Sequence, residues 1–155
     1  LDAARALSDM DAYIEAYILA RGTPVKPGLV ALLDALDARG LPCAVASSSP
    51  TGRILQNVDL AGLAGRFRAV VSGDDVARGK PGPDIFLAAA GALGVAPEAC
   101  MALEDSPHGV EAAKRAGMKT VMVPDLHAPD ERDRAGLYAL IPSLFEAIPL
   151  LDGEG

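Results

Sequence analysis

The stretch CMALEDSPHGVEAAKRAG, residues 100–117, decides the fold. Cys100 to Leu103 is a short apolar run of strand character. Glu104-Asp105 follows, Ser106 is placed to cap a helix, Pro107 fits a first helical position, and Gly117 stops the helix that runs to Ala116. A second apolar run, Thr120 to Val123, comes next. Strand, helix and strand at this spacing make a βαβ unit, which requires parallel strands and a helix packed on one face of the sheet.

Working outward, the same alternation repeats. Leu29, Leu32, Leu33 and Leu36 recur at helical spacing between Pro27-Gly28 and Arg39-Gly40, and Cys43 to Ala46 reads as a strand. Ser49-Pro50 is placed to cap and begin a helix carrying Ile54, Leu55 and Val58, before a strand at Ala69 to Val71. Pro83 to Leu93 reads as a helix ended by Gly94. Beyond Val123 the pattern weakens to a strand near Leu140-Ile141 and a short helix, Leu144 to Ile148, with Ser143 as its cap. The expected class is α/β with a parallel sheet between helical layers. Residues 1–22 are an Ala-rich helical stretch without a strand, set off by Thr23-Pro24, and read as the end of another unit.

A chain of 155 residues, half of them hydrophobic, suffices for one continuous core. With 21 acidic against 14 basic residues the net charge is −7, and no Lys/Arg cluster forms the positive stripe that nucleic acid or an anionic membrane needs. No apolar run approaches the ~20 residues of a membrane span. The start has no secretory pattern, so a cytoplasmic protein acting on small molecules is the expectation. Cys43 and Cys100, both in strand-like runs, read as reduced, buried side chains.

Three polar clusters fall at or just beyond C-terminal strand ends, where open α/β sheets bind ligands. Ser47-Ser48-Ser49 offers hydroxyls and successive backbone N–H groups ahead of a helix, suited to a phosphate or simply to capping. Gly79-Lys80-Pro81-Gly82-Pro83-Asp84 holds one cation in a proline- and glycine-framed loop, able to neutralise a phosphate. Glu104-Asp105 places two adjacent carboxylates where a hard divalent cation such as Mg²⁺ would relieve their repulsion; an acidic turn offsetting the helix dipole is the alternative. Asp84 is expected to cap the next helix or steady the Lys80 loop, and His108 and His127 have no metal-ligand partner nearby in sequence.

Ser47, Lys80 and Glu104-Asp105, in that order and with neighbourhoods Pro27-Gly28-Leu29, Ala46-Ser47-Ser48-Ser49, Gly79 to Phe86 and Glu104 to Ala113, resemble motifs two to four of the haloacid dehalogenase (HAD) superfamily. The likeness is to its phosphatase and β-phosphoglucomutase branch. It implies a HAD-like Rossmannoid core at residues 23–155 and the remnant of a helical cap at residues 1–22. It also implies a Mg²⁺-dependent phosphatase of a small phosphorylated metabolite, working through an aspartyl-phosphate. Ser47, Ser48 and Lys80 would bind phosphate, with Ser47 and Lys80 in the catalytic set, and Asp105 and Glu104 would bind the metal.

In this family the nucleophile and the acid/base are aspartates of a first motif, Asp-x-Asp-Gly-Thr at a strand end. Asp9-Met10-Asp11 has the spacing but follows helical sequence and precedes Ala12-Tyr13, so it is rejected. The first core strand, expected between the strands ending at Ser47 and Glu104, and most of the cap are then missing. The chain alone is expected to be inactive, and unstable, rearranged or self-associating through the unpaired sheet edge. Mutase activity is the weaker alternative, because Pro50-Thr51 stands where β-phosphoglucomutases carry a Lys-Asn pair, with Arg53 a partial substitute. A non-catalytic phosphate-binding domain is the third reading.

Overall fold

The computed structural model describes residues 24–152. Helix α1, Leu29–Ala38, buries Leu32 and Leu33 and starts at Gly28, whose φ of 88° is left-handed. A Cβ on Gly28 would collide with the backbone of Leu144 and Phe145, so only glycine lets the C-terminal turn dock there. The chain continues through β1 (Ala44–Ser47), α2 (Thr51–Leu60), β2 (Ala69–Ser72), α3 (Asp84–Leu93), β3 (Met101–Glu104), α4 (Pro107–Arg115), β4 (Lys119–Met122), α5 (Glu131–Arg134) and β5 (Ala139–Leu140). Short 3₁₀ turns at Leu144–Ala147 and Pro149–Asp152 close the described part.

The expected α/β class and parallel pairing are found, divided into two sheets. β1 pairs with β2, matching Ser47 to Ser72; β3 pairs with β4, matching Glu104 to Met122; and β4 pairs with β5. Every pair is parallel. β1 and β3 each have a single ladder partner, so each keeps one unpaired edge among the described residues.

Two apolar clusters make the layers. Ile85, Phe86 and Ala89 of α3 and Ala112 and Ala113 of α4 pack against Val71 of β2 and Ala102 of β3, bridging both sheets. Leu32 of α1, with Ile141, Leu144 and Ala147, covers Val121 on the opposite face, where Met101 and Leu103 also pack. Strand side chains alternate between faces, so Ala102 belongs to the first cluster and its neighbours Met101 and Leu103 to the second.

Several expectations shift by a residue. Helix α2 begins at Thr51 after an extended Pro50, with no side-chain cap, so the Ser49-Pro50 start is corrected. The cause is local: Ser47 Oγ accepts from Ser49 N at 3.2 Å, and Ser49 O accepts from Ser72 Oγ at 2.9 Å, committing Ser49 to the turn. Ser106 caps α4 as expected, accepting from Gly109 N, with Pro107 in the first turn. Ser143 caps a 3₁₀ turn where a short helix was expected. Asp84 does not cap α3; Pro83 precedes it, and Asp84 takes a two-pronged pair from Arg78 Nε and Nη2, which steadies the Lys80 loop. Cys43 and Cys100 are free and only half-buried, so the expected full burial is corrected; burial pushes both thiols up from their ordinary range. Residues 1–22, including Asp9 and Asp11, lie outside the described residues. Among the described residues, no helix is long and apolar enough to cross a membrane.

Candidate functional site

β1 ends at Ser47 and β3 at Glu104, and the loop ahead of α3 carries Lys80 between them. Lys80 Nζ donates to Ala46 O of β1 at 3.3 Å and forms an ion pair with Glu104 Oε1 of β3. One ammonium therefore bridges the two sheets. Only 12% of the Lys80 side chain and 8% of Glu104 are exposed. The ammonium also lies 5.0 Å from the centre of the Phe86 ring, a favourable cation–π distance.

Glu104 is held from several sides. Its Oε2 accepts from Asp105 N and from Ser106 Oγ, each at 3.2 Å. A Cβ on Gly109 would overlap the Glu104 carboxyl group, so the absence of a side chain in the first turn of α4 makes the room this carboxylate occupies. A buried carboxylate is tolerated where a cation and hydrogen-bond donors surround it, and all three are present.

Asp105 leaves in another direction. Successive side chains of an extended chain point to opposite faces, so Glu104 takes the face of α3 and α4 and Asp105 reaches toward the start of α1. There Asp105 Oδ2 lies 3.0 Å from Lys26 Nζ, which is also 3.1 Å from Asp125 Oδ2, just beyond β4. Lys26 is 37% exposed, Asp105 44% and Asp125 58%. The Lys26 ammonium is raised above its ordinary range: burial, the largest single influence, lowers it, but the combined bonds and charges of Asp105 and Asp125 outweigh that.

A cavity of about 570 Å³ joins these groups; Ser47, Ser48, Lys80, Glu104, Asp105 and Lys26 all line it. Its apolar walls include Val45 of β1 and Leu103 of β3. A second cavity of about 410 Å³ is lined by Ala44, Ala46, Met101 and Leu103 of the same strands. The unpaired edges of β1 and β3 thus flank open, mostly apolar space.

The structure therefore brings Ser47, Ser48, Lys80, Glu104 and Asp105 to one place. It separates the adjacent acids, giving each its own lysine, where the sequence suggested a shared cation. Lys26 and Asp125 were not singled out in the sequence. Asp125 carried a usable signal, since it lies just past the C-terminal end of β4, where the strand-end rule applies as well. Lys26 had none beyond its place before Pro27-Gly28. His108 is exposed, and His127 instead pairs with Asp133, Nε2 to Oδ2 at 2.7 Å.

Hard carboxylate oxygens suit Mg²⁺, and Asp105 and Asp125 already converge on one cationic centre, so the donor set fits a divalent ion. Among the described residues no group of three His, Cys, Asp or Glu side chains is placed to hold a metal. Magnesium bound by one or two carboxylates with water and phosphate oxygens needs no such group.

The family model described as haloacid dehalogenase-like hydrolase matches residues 1–117. Over 142 residues the chain is 35% identical to phosphoglycolate phosphatase of Escherichia coli K12, covering 86% of this chain and 54% of that protein. It is 42% identical over 121 residues to a Drosophila melanogaster protein named "Probable pseudouridine-5'-phosphatase", covering 74% of this chain and 52% of that one. The crystal structure of CbbY from Rhodobacter sphaeroides in complex with phosphate superposes with a TM-score of 0.75 at 32% identity, over 84% of this chain and 59% of that one. The chain spans about half the length of the curated relatives it matches.

Proposed function

Because the chain belongs to the haloacid dehalogenase-like hydrolases, we propose that its site serves the hydrolysis of a small phosphorylated metabolite. Ser47, Ser48 and Lys80 hold the phosphoryl oxygens, and Asp105 holds Mg²⁺. The observation that carries this reading is Lys80 Nζ, fixed between Ala46 O and Glu104 beside the cavity that Ser47, Ser48 and Asp105 also line. A cation immobilised before the substrate arrives stabilises developing negative charge without reorganising.

Each residue has a separate task. Lys80 supplies positive charge to the phosphoryl group. Glu104, nearly buried and paired with the Lys80 ammonium, serves as a support for it. The Ser47 hydroxyl, which already accepts from Ser49 N, has its own proton left to donate to a phosphate oxygen. When bound, Mg²⁺ neutralises charge on the phosphoryl oxygens. The attacking carboxylate is assigned to an extended segment seated between the unpaired edges of β1 and β3, where both strands can donate a ladder and the two cavities receive its side chains. The same edges make pairing with a second copy of the chain an expected alternative.

The test is phosphate release from p-nitrophenyl phosphate with Mg²⁺, alongside binding of inorganic phosphate by calorimetry. The chain alone is expected to bind phosphate in a Mg²⁺-dependent way, to lose that binding in Asp105→Ala, and to release no phosphate. Turnover abolished by replacing Asp9 and Asp11 with alanine would overturn the assignment of the nucleophile. Absence of Mg²⁺-dependent phosphate binding would overturn the site.

A further inference from the structure

Ser72, the last residue of β2, is fully buried, and the proposed function gives it no task. It stands opposite Ser47 in the parallel ladder, one strand away from the phosphate-holding groups. Its hydroxyl has one proton to give, and the surroundings decide where that proton goes. Asp74 N donates to Ser72 Oγ at 3.0 Å, so the hydroxyl turns its own proton to Ser49 O at 2.9 Å. Ser72 N in turn donates to Asp75 Oδ2 at 2.8 Å, which closes the turn after β2 and holds the root of the side chain. Beside this bond the two turns touch through backbone. A Cβ on Gly73 would lie 2.8 Å from Ser48 O and 3.2 Å from Ser48 Cα, so only a residue without a side chain lets them meet this closely.

We propose that Ser72 is a positioning residue for the phosphate-holding turn: its hydroxyl fixes the Ser49 peptide and thereby sets Ser47 and Ser48 for the phosphoryl oxygens. The inference rests on the reading of Ser47 and Ser48 as phosphate-holding groups. Ser49 is held at both polar ends, N by Ser47 Oγ and O by Ser72 Oγ. Ser47 and Ser48 line the cavity of about 570 Å³ beside Lys80, whereas Ser72 is enclosed behind them. Donors fixed before a ligand arrives bind it without the cost of ordering a loop. Without the Ser72 proton, Ser49 O loses its partner in half-buried surroundings, and the turn gains by rotating that carbonyl toward water. Ser48, joined to the same segment, moves with it.

The test is calorimetric binding of inorganic phosphate to the full chain in one Mg²⁺-containing buffer, comparing Ser72→Thr with Ser72→Val. Both add one methyl-sized branch to an enclosed site, so the packing cost is common to them and the hydroxyl is what differs. Ser72→Val should bind phosphate roughly three- to tenfold more weakly than Ser72→Thr, the range set by one hydrogen bond. With no phosphate present, the Ser49 carbonyl ¹³C resonance should hold its position in Ser72→Thr and move in Ser72→Val. Gly73→Ala, which keeps the hydroxyl and displaces Ser48, should weaken phosphate binding as well. Equal phosphate affinity in the Thr and Val variants would overturn the proposal, as would a Ser49 resonance that stays in place in both. Absence of phosphate binding by the unmodified chain would instead overturn the phosphate site itself, a separate failure. Circular dichroism of each variant establishes that the fold is kept.

Discussion

The molecule places two lysine–carboxylate groups around one cavity, and they differ in almost everything except chemistry. Lys80 and Glu104 are nearly enclosed, bonded to backbone and hydroxyl partners, and join the two sheets. Lys26, Asp105 and Asp125 are open to water on loop ends. A charge taken from water is costly unless fully paired, so the first group is locked; a charge still half in water exchanges partners at little cost. The locked group suits holding a charge in one geometry, and the open one suits an exchange of partners.

The largest expected effect comes from breaking the locked pair on one side. Lys80→Met leaves Glu104 buried without its cation and should destabilise the chain by about 3–5 kcal/mol in urea unfolding. Lys80→Met with Glu104→Leu should recover most of that loss, since both charges are gone. If the single variant unfolds at the same urea concentration as the unmodified chain, the pair is not locked.

Gly109 gives the next largest effect. Gly109→Ala forces a methyl into the Glu104 carboxyl and should cost about 1–3 kcal/mol, the range for overpacking. In a Glu104→Ala background the same change should be neutral or slightly stabilising, because alanine favours helix by up to ~1 kcal/mol over glycine. A similar penalty in both backgrounds would show that Glu104 is not what the glycine accommodates.

A smaller effect, confined to acid, tests the loop that carries Asp125. Asp133 anchors that loop by accepting from His127 Nε2 and from Asp130 N. The His127 bond, then the Asp130 backbone bond, hold its carboxyl below the usual range despite an opposing effect of burial. A depressed folded-state value stabilises above the ordinary carboxylate range, and that contribution disappears as pH falls through the depressed value. Thermal melts from neutral pH downward should therefore show a steeper acid loss for the unmodified chain than for Asp133→Asn; parallel curves would rule the anchor out.

The smallest stability effect belongs to the open group. Asp105→Asn should shift unfolding by less than about 1 kcal/mol, as exposed ion pairs do. A cost comparable to that of Lys80→Met would erase the contrast between the two groups.

Much of this was legible in sequence. The glycine stops, the Ser106-Pro107 start and the apolar runs located the helices and strands to within a residue or two, because these are local preferences of backbone and side chain. The strand-end rule grouped Ser47, Lys80, Glu104 and Asp105, and the structure places all four around one cavity. It could not show that Glu104 and Asp105 part company, which depends on where β3 ends and on which face each helix covers. It also missed Lys26, whose partners are 79 and 99 positions away in sequence.

The sequence by itself determined the α/β class, the parallel order of elements and the family, since periodicity, turn residues and ordered motifs are properties of the chain read in line. The tertiary structure alone decided which lysine each carboxylate meets, which pair is buried and which stays in water. Those are consequences of packing between distant segments, where burial sets the strength of a charge and no neighbour in sequence records it.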